Sequence, residues 1–339
     1  MPPEQTMRAL VHAGTPGPDG LRILNVPTPK PAADEVLIKV LAAGLNRHEL
    51  FVINSHDDDQ PRIVGADAVG TVCTTGADAD PDVVGHTVLI NPCLGWDNTE
   101  DVPEVPTILG GPIQGTFAEY VCVPARNVHA IPQHLSLAEA AALPLAALTA
   151  YRALFTQGHV KSGDHVVITG ATGGAGVIAL AMAAAVGAEV TVITRHTSKA
   201  AQAKAIGAAH VVAGTNDFHT ELHAPADVVL DSVGADTFAA AVSSVRPGGR
   251  VVSFGATSTP DVDLSLRDLF FRQISIQGTS MGSAPEFEKM IEFVTRHRIA
   301  PIVHAVCPLE KAPDAFRDMA VGSGFGKTVF TIGDGQLAR

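Results

Sequence analysis

The most restrictive feature of this chain is a strand that runs into a glycine loop and then a helix: VVITGATGGAGVIALAMAAAVGAEV, residues 166–190. The apolar run at 166–168 reads as a buried strand. Gly170, Gly173, Gly174 and Gly176 follow, an alanine-rich stretch over 174–188 reads as a helix, and the next strand opens at Glu189. Glycine lets the backbone turn tightly and brings its amides close to a pyrophosphate, while the helix N-terminus offers unpaired donors and the positive end of a dipole. The spacing is AxGxxG, with Ala171, Gly173 and Gly176 at the motif positions and Gly174 and Ala175 between the last two. A lone glycine motif says little. One placed between a strand and a helix, with a second strand on schedule, points to a dinucleotide-binding βαβ unit.

The neighbouring sequence repeats the pattern. Residues 165–169, 189–194, 210–213, 227–231, 250–254 and 275–278 read as short apolar strands separated by helices such as 198–206. Parallel strands need helical crossovers, so an α/β unit with a six-stranded doubly wound parallel sheet is expected. Ahead of it, SLAEAAALPLAALTAYRALF is helical, with Ser136 and Glu139 at capping-box spacing and Pro144 as an interruption. Residues 1–128 instead carry short Val, Ile and Thr runs at 35–41, 70–73, 86–90 and 117–123, each close to a turn signal, which predicts an antiparallel barrel or sandwich. After the sheet come a helix at 285–297, a strand around Val303, a helix from Leu309 and a strand at 327–332. This tail is assigned back to the first domain, giving domains 1–128 with 284–339, and 129–283.

Charge narrows the partners. Asp and Glu total 35 against 23 for Lys and Arg, a formal net charge of -12, which disfavours nucleic acid and anionic membrane surfaces. With 46% hydrophobic and 17% charged residues the chain is globular. Cys73, Cys93, Cys122 and Cys307 lie far apart with no CxxC, so they are expected to be small buried hydrophobes in a reducing compartment. The first residues have no apolar signal core, and the apolar run at 174–188 is too short to span a bilayer, so a cytoplasmic protein is expected.

The second strand of the expected sheet ends at Thr194, where an NAD-preferring sheet carries Asp or Glu for the ribose hydroxyls. Arg195 and Lys199 follow. A guanidinium pairs with a 2'-phosphate through two parallel bonds and an ammonium adds a point charge, so NADP(H) is the expected cofactor. The plainer alternative is a pair of solvated charges after an edge loop. Val233, Phe254, Gly255 and Ala256 end the fourth and fifth strands, where ligands collect in a parallel sheet.

With these residues in place, the chain resembles the zinc-independent, quinone-oxidoreductase-like branch of the medium-chain dehydrogenase/reductase superfamily. The resemblance rests on residues 43–49 (AGLNRHE), 63–72 (IVGADAVGTV), 115–123 (GTFAEYVCV), 140–154 (AAALPLAALTAYRAL), the AxGxxG loop, 227–234 (DVVLDSVG), 246–255 (RPGGRVVSFG) and 325–329 (FGKTV). It implies a Rossmann domain inserted in a GroES-like, mainly antiparallel β catalytic domain. Zinc-containing members hold their catalytic metal at positions that read here as Asn46, Ala66 with Asp67, and about Leu145, and their structural zinc lobe corresponds to 91–111, which holds only Cys93. Both zincs are therefore expected to be absent. The fourteen histidines are scattered, and the one helical-looking pair, His219 and His223, is not expected to ligate a metal.

Without a Lewis acid, oxidation of an unactivated alcohol is harder, whereas hydride transfer to an electron-poor acceptor stays feasible. The expected activity is NADPH-dependent reduction of a quinone or an activated α,β-unsaturated carbonyl. The alternatives are an NADP-dependent alcohol or aldehyde dehydrogenase, or a non-catalytic NADPH-binding or redox-sensing protein. By resemblance, Asn46 faces the substrate and donates to its oxygen, the alternative being a capping or turn Asn, and Thr149 stands beside the nicotinamide, the alternative being a packing residue; Lys327, after Gly326 in the tail, is placed to close over the cofactor or its 2'-phosphate. His48 is either a proton relay or a wall residue. Phe51 and Thr215 occupy places where relatives carry Tyr, and residues 56–59 (HDDD) read as a solvated loop. A homodimer paired through the last strand, 275–278, is expected.

Overall fold

The computed structural model describes residues 5–56, 59–322 and 324–333. Asp57 and Asp58 of the HDDD segment lie outside the described residues. Contacts divide the chain into two compact units. Residues up to Leu145, Ser283–Ile291 and those from Ala300 form the first; Ala146–Gly282 and Glu292–Ile299 form the second.

The first unit is built around a mainly antiparallel sheet in which Val128–Ala130, Thr87–Ile90, Val69–Thr75, Glu35–Gly44, Lys327–Thr331 and Val303–Pro308 succeed one another, with Tyr120–Pro124 also paired to Glu35–Gly44. Glu35–Gly44 alternates between buried and more exposed positions over most of its length, the period that puts Val36, Ile38 and Val40 on one face. Phe117 and Phe330 meet edge to face in this core, with ring centroids 5.1 Å apart. In the lobe at 91–111, Cys93–Leu94 pairs with Thr107–Leu109, and Asn127 Nδ2 donates to the Asn91 and Cys93 carbonyls at 3.0 and 2.9 Å. Residues 129–145 also lie in this unit. Their Leu137–Ala141 helix packs on Glu35–Gly44, where a Cβ on Gly44 would collide with the Ala141 carbonyl. That helix starts with the capping box read from the sequence, the Ser136 N–H donating to Glu139 Oε2 at 2.8 Å. The helical stretch is interrupted at Pro144 as expected: one helix ends at Ala141 and Pro144 begins the next, Pro144–Tyr151.

The second unit holds a six-stranded sheet in the order His210–Ala213, Glu189–Thr194, His165–Ile168, Ala226–Asp231, Val245–Ser253, Ser275–Gly278, all parallel. This is the doubly wound order of a Rossmann fold. Val166, Val167 and Ile168 are fully buried, as a strand covered on both faces requires. The first helix runs Gly174–Ala185, shorter than expected, because Gly187 takes a φ of 82° that ends it.

Two expectations need correction here. Only Cys93 of the four cysteines is buried; Cys73 is exposed and the other two are half-buried, so they are not uniformly core residues. The residues after Asn46 were read as part of a strand-rich region, yet Arg47–Ser55 is a helix. No helix among the described residues is long and apolar enough to cross a membrane.

Candidate active site

In the second unit the glycine loop joins the end of His165–Ile168 to the helix Gly174–Ala185. Its three motif positions do different work. Gly176 is packed so closely that a Cβ there would stand 2.6 Å from Ala171 Cα, so the third position fixes the helix against the strand. Gly173, the helix N-cap, is different: it is exposed, its φ of -81° and ψ of 168° suit any residue, and a Cβ would meet only the Gly170 carbonyl at 3.5 Å. Nothing in the protein requires glycine there, and the space a side chain would fill is the approach of a pyrophosphate to the helix N-terminus. Gly174 and Ala175, half-buried, form the first helical residues beyond it. The loop therefore fits a nicotinamide dinucleotide.

Thr194 ends the adjacent parallel strand and is buried; Arg195 after it is exposed, and Lys199 is 8% exposed. Burial, and then the Arg195 charge, pull the Lys199 ammonium below the usual lysine value. Two cations close enough to repel one another suit an anion between them. On the other side of the loop, Val233 and Phe254 are tied down by backbone: Phe254 N–H donates to the Asp231 carbonyl at 2.9 Å, and Ser258 N–H to the Val233 carbonyl at 2.8 Å. Gly255 and Ala256 are exposed beyond them. Glycine loop, Thr194–Arg195 and Val233–Ala256 thus share the carboxyl edge of one sheet. Thr149 lies in the same unit, buried in Pro144–Tyr151.

Asp231 organises this edge and was not singled out from the sequence. It is fully buried; Oδ1 accepts from Thr169 Oγ1 and Thr237 Oγ1, both at 2.6 Å, and Oδ2 accepts from the Gly234 N–H at 2.9 Å. An acidic residue closing an apolar strand, DVVLD, was the available signal.

The first unit brings together the positions at which zinc-containing members place their ligands. Asn46 Nδ2 donates to Asp67 Oδ2 at 3.0 Å, and Asp67 Oδ1 accepts from the Leu145 N–H at 2.8 Å. Into this group comes Lys327, 4% exposed, with Nζ hydrogen-bonded to Asn46 Oδ1 and 3.1 Å from Asp67 Oδ2. Glu49 completes it, accepting from the Asn46 N–H and, at 2.9 Å, from the Ala66 N–H. Complete burial pushes the Glu49 carboxyl up to about 8 against the pull of Lys327.

These residues do not fit a catalytic zinc. An ammonium already occupies the Asp67 carboxylate and the Asn46 amide oxygen, and the Glu49 carboxylate is taken up by two backbone N–H groups, so a second cation would meet repulsion and filled lone pairs. Lys327 lies in the first unit, where its ammonium meets Asp67 and Asn46. Asn46 has its amide N–H groups turned to Asp67 and, at 3.4 Å, to the Gly44 carbonyl. Nearby in sequence, His48 has a buried Nε2 with no partner among the described residues, and burial drops its imidazole to about 4. Phe51 is 72% exposed, and Thr215 Oγ1 accepts from the Asp217 N–H at 3.0 Å.

Comparison with known proteins agrees with both halves. Residues 32–133 match the alcohol dehydrogenase GroES-like domain and residues 174–296 the zinc-binding dehydrogenase family. A zinc-type alcohol dehydrogenase-like protein, YogA, from Leptosphaeria maculans is 31% identical over 92% of this chain and 94% of its own. A 2-methylene-furan-3-one reductase from Solanum lycopersicum is 32% identical over 90% of this chain and 74% of its own. The crystal structure of an NAD-dependent alcohol dehydrogenase superposes with a TM-score of 0.90 at 33% identity, covering 96% of this chain and all of that one. The chain belongs to the medium-chain dehydrogenase/reductase superfamily. It is an oxidoreductase of a family that binds nicotinamide cofactors and includes both alcohol dehydrogenases and reductases.

Proposed function

We propose that this protein is a metal-independent reductase that uses NADPH to deliver hydride to a quinone or an activated α,β-unsaturated carbonyl. The observation that carries the reading is the buried Lys327 ammonium, held on Asp67 and Asn46 at the positions that correspond to a metal site in zinc-containing relatives. NADPH, when bound, supplies the hydride. Lys327 has three N–H donors, of which two point to Asn46 Oδ1 and Asp67 Oδ2, and the third serves the oxygen on which negative charge develops. Asp67 and Asn46 fix the direction of that ammonium. The tomato relative, named for an exocyclic methylene beside a ketone, supports an enone as the acceptor. The NAD-dependent alcohol dehydrogenase neighbour favours a second reading, reversible oxidation of an alcohol.

A panel of quinones, enones, aldehydes and alcohols, assayed at saturating cofactor after chelator dialysis, separates the two. Turnover highest on quinones or enones is expected. Faster turnover of simple alcohols, or turnover that is lost on chelation and restored by zinc in the Glu189→Gln variant as in the wild type, would sink the proposal. For the cofactor, Arg195→Ala should raise the KM for NADPH about 10- to 100-fold, as loss of a charge-assisted phosphate contact implies, and leave NADH unchanged. Equal effects on both would show that Arg195 does not meet the 2'-phosphate.

We also propose a homodimer through the second unit's sheet. Ser275–Gly278 is its terminal strand, and Leu266, Phe270 and Phe271 on the preceding Leu266–Arg272 helix are more than 60% exposed. Sedimentation should give a dimer that Phe270→Glu with Phe271→Glu converts to monomer; a monomeric wild type refutes it.

A further inference from the structure

We infer that Glu189, His210 and His223 form a binding site for one divalent transition-metal ion, with zinc the best match to the donors, at the end of the second unit's sheet remote from the glycine loop. Glu189 and His210 are the first residues of adjacent parallel strands, and His223 lies in the segment leading to Ala226–Asp231. In a parallel sheet all these starts share one edge, and the AxGxxG loop follows the opposite ends of the strands, so the site is separate from the cofactor region. It is independent of the proposed reductase function.

The fold converges three segments on a single oxygen. His210 Nε2 lies 2.9 Å from Glu189 Oε1 and His223 Nε2 lies 3.1 Å from the same atom. All three ligand atoms fall within 4.8 Å of one another. Zinc bonds to nitrogen and oxygen of about 2.0–2.1 Å place tetrahedral ligand atoms about 3.3 Å apart. The two separations from Glu189 Oε1, 2.9 and 3.1 Å, lie within about 0.5 Å of that edge, and the third lies within 4.8 Å. The imidazole rings of His210 and His223 stand 4.1 Å apart, tilted by 31°.

Support comes from behind. His165, the first residue of the neighbouring strand, packs on His223 with ring centroids 4.6 Å apart and is itself fixed by Thr191 Oγ1 at 2.8 Å and the Pro225 carbonyl at 3.3 Å. Two imidazoles, one carboxylate and an open fourth position for water make a ligand set that zinc accepts. His219, the other member of the sequence pair, takes no part: its Nδ1 pairs with Asp217 at 2.6 Å.

The test uses the full-length protein stripped with a chelator and titrated with Zn²⁺ by calorimetry, then with Co²⁺ by absorption. One ion per chain is expected, with the thermal midpoint raised by several degrees. His223→Ala and Glu189→Gln should each weaken binding about tenfold or more and abolish the thermal shift, and Co²⁺ should show d–d bands with no thiolate charge transfer. Absence of binding, affinity unchanged in both variants, or a thiolate band pointing to the cysteines overturns the assignment.

Discussion

Lys327→Met is expected to lower the free energy of unfolding by about 3–5 kcal/mol in chemical denaturation, the usual result of removing one partner of a buried ion pair. The cost comes from what is left behind. Asp67 is fully buried, and without the ammonium its Oδ2 retains only the Asn46 amide, while Oδ1 stays on the Leu145 N–H. Adding Asp67→Asn removes the stranded charge and keeps an acceptor for Leu145, so the double variant should recover a large part of the loss. A non-zero coupling energy in that double-mutant cycle is the signature of the pair. If the two single losses simply add, Lys327 and Asp67 do not act as a unit and the proposed replacement for a metal centre is wrong. Activity follows a separate path, because even a stable double variant lacks the third N–H for the substrate oxygen and should lose kcat.

The second large effect divides two glycines three residues apart. Gly173→Val should leave the fold near wild-type stability, at a cost of about 1 kcal/mol for a poorer N-cap, yet weaken NADPH binding about 100-fold or more by filling the pyrophosphate approach. Gly176→Val should act on the fold instead: Gly176 is buried, and its Cβ would stand 2.6 Å from both Ala171 Cα and the Gly170 carbonyl, so the folded state itself is lost. Fluorescence titration with NADPH and thermal unfolding read the two quantities apart. NADPH affinity unchanged in Gly173→Val would show that the cofactor does not lie over this loop.

What the sequence made legible was local. The glycine loop, the strands at 189–194, 210–213 and 275–278 and the Ser136–Glu139 capping box all depend on residues within one turn or one strand of each other, and the structure has them in place. The Arg47–Ser55 helix was missed although Asn46 and Glu49 have cap spacing, because the surrounding valines and glycines pointed to strands. The role of Lys327 was not readable at all. Its partners Asn46 and Asp67 stand 281 and 260 residues away, and no local pattern reports which buried carboxylate a lysine will meet. The same holds for Glu189, His210 and His223, which only the stacking of parallel strands brings to one point.

The central sheet of the first unit has a temporal consequence. Glu35–Gly44 is made early, but its neighbour Lys327–Thr331 is among the last described residues of the chain. At about 5–20 residues per second on the ribosome, roughly 15–60 s separate the two strands. During that interval the early strands wait with one edge open, while the second unit, whose sheet is contiguous in sequence from His165 to Gly278, can close on its own. The sheet of the second unit can therefore be complete before the Lys327 ammonium is available to Asp67.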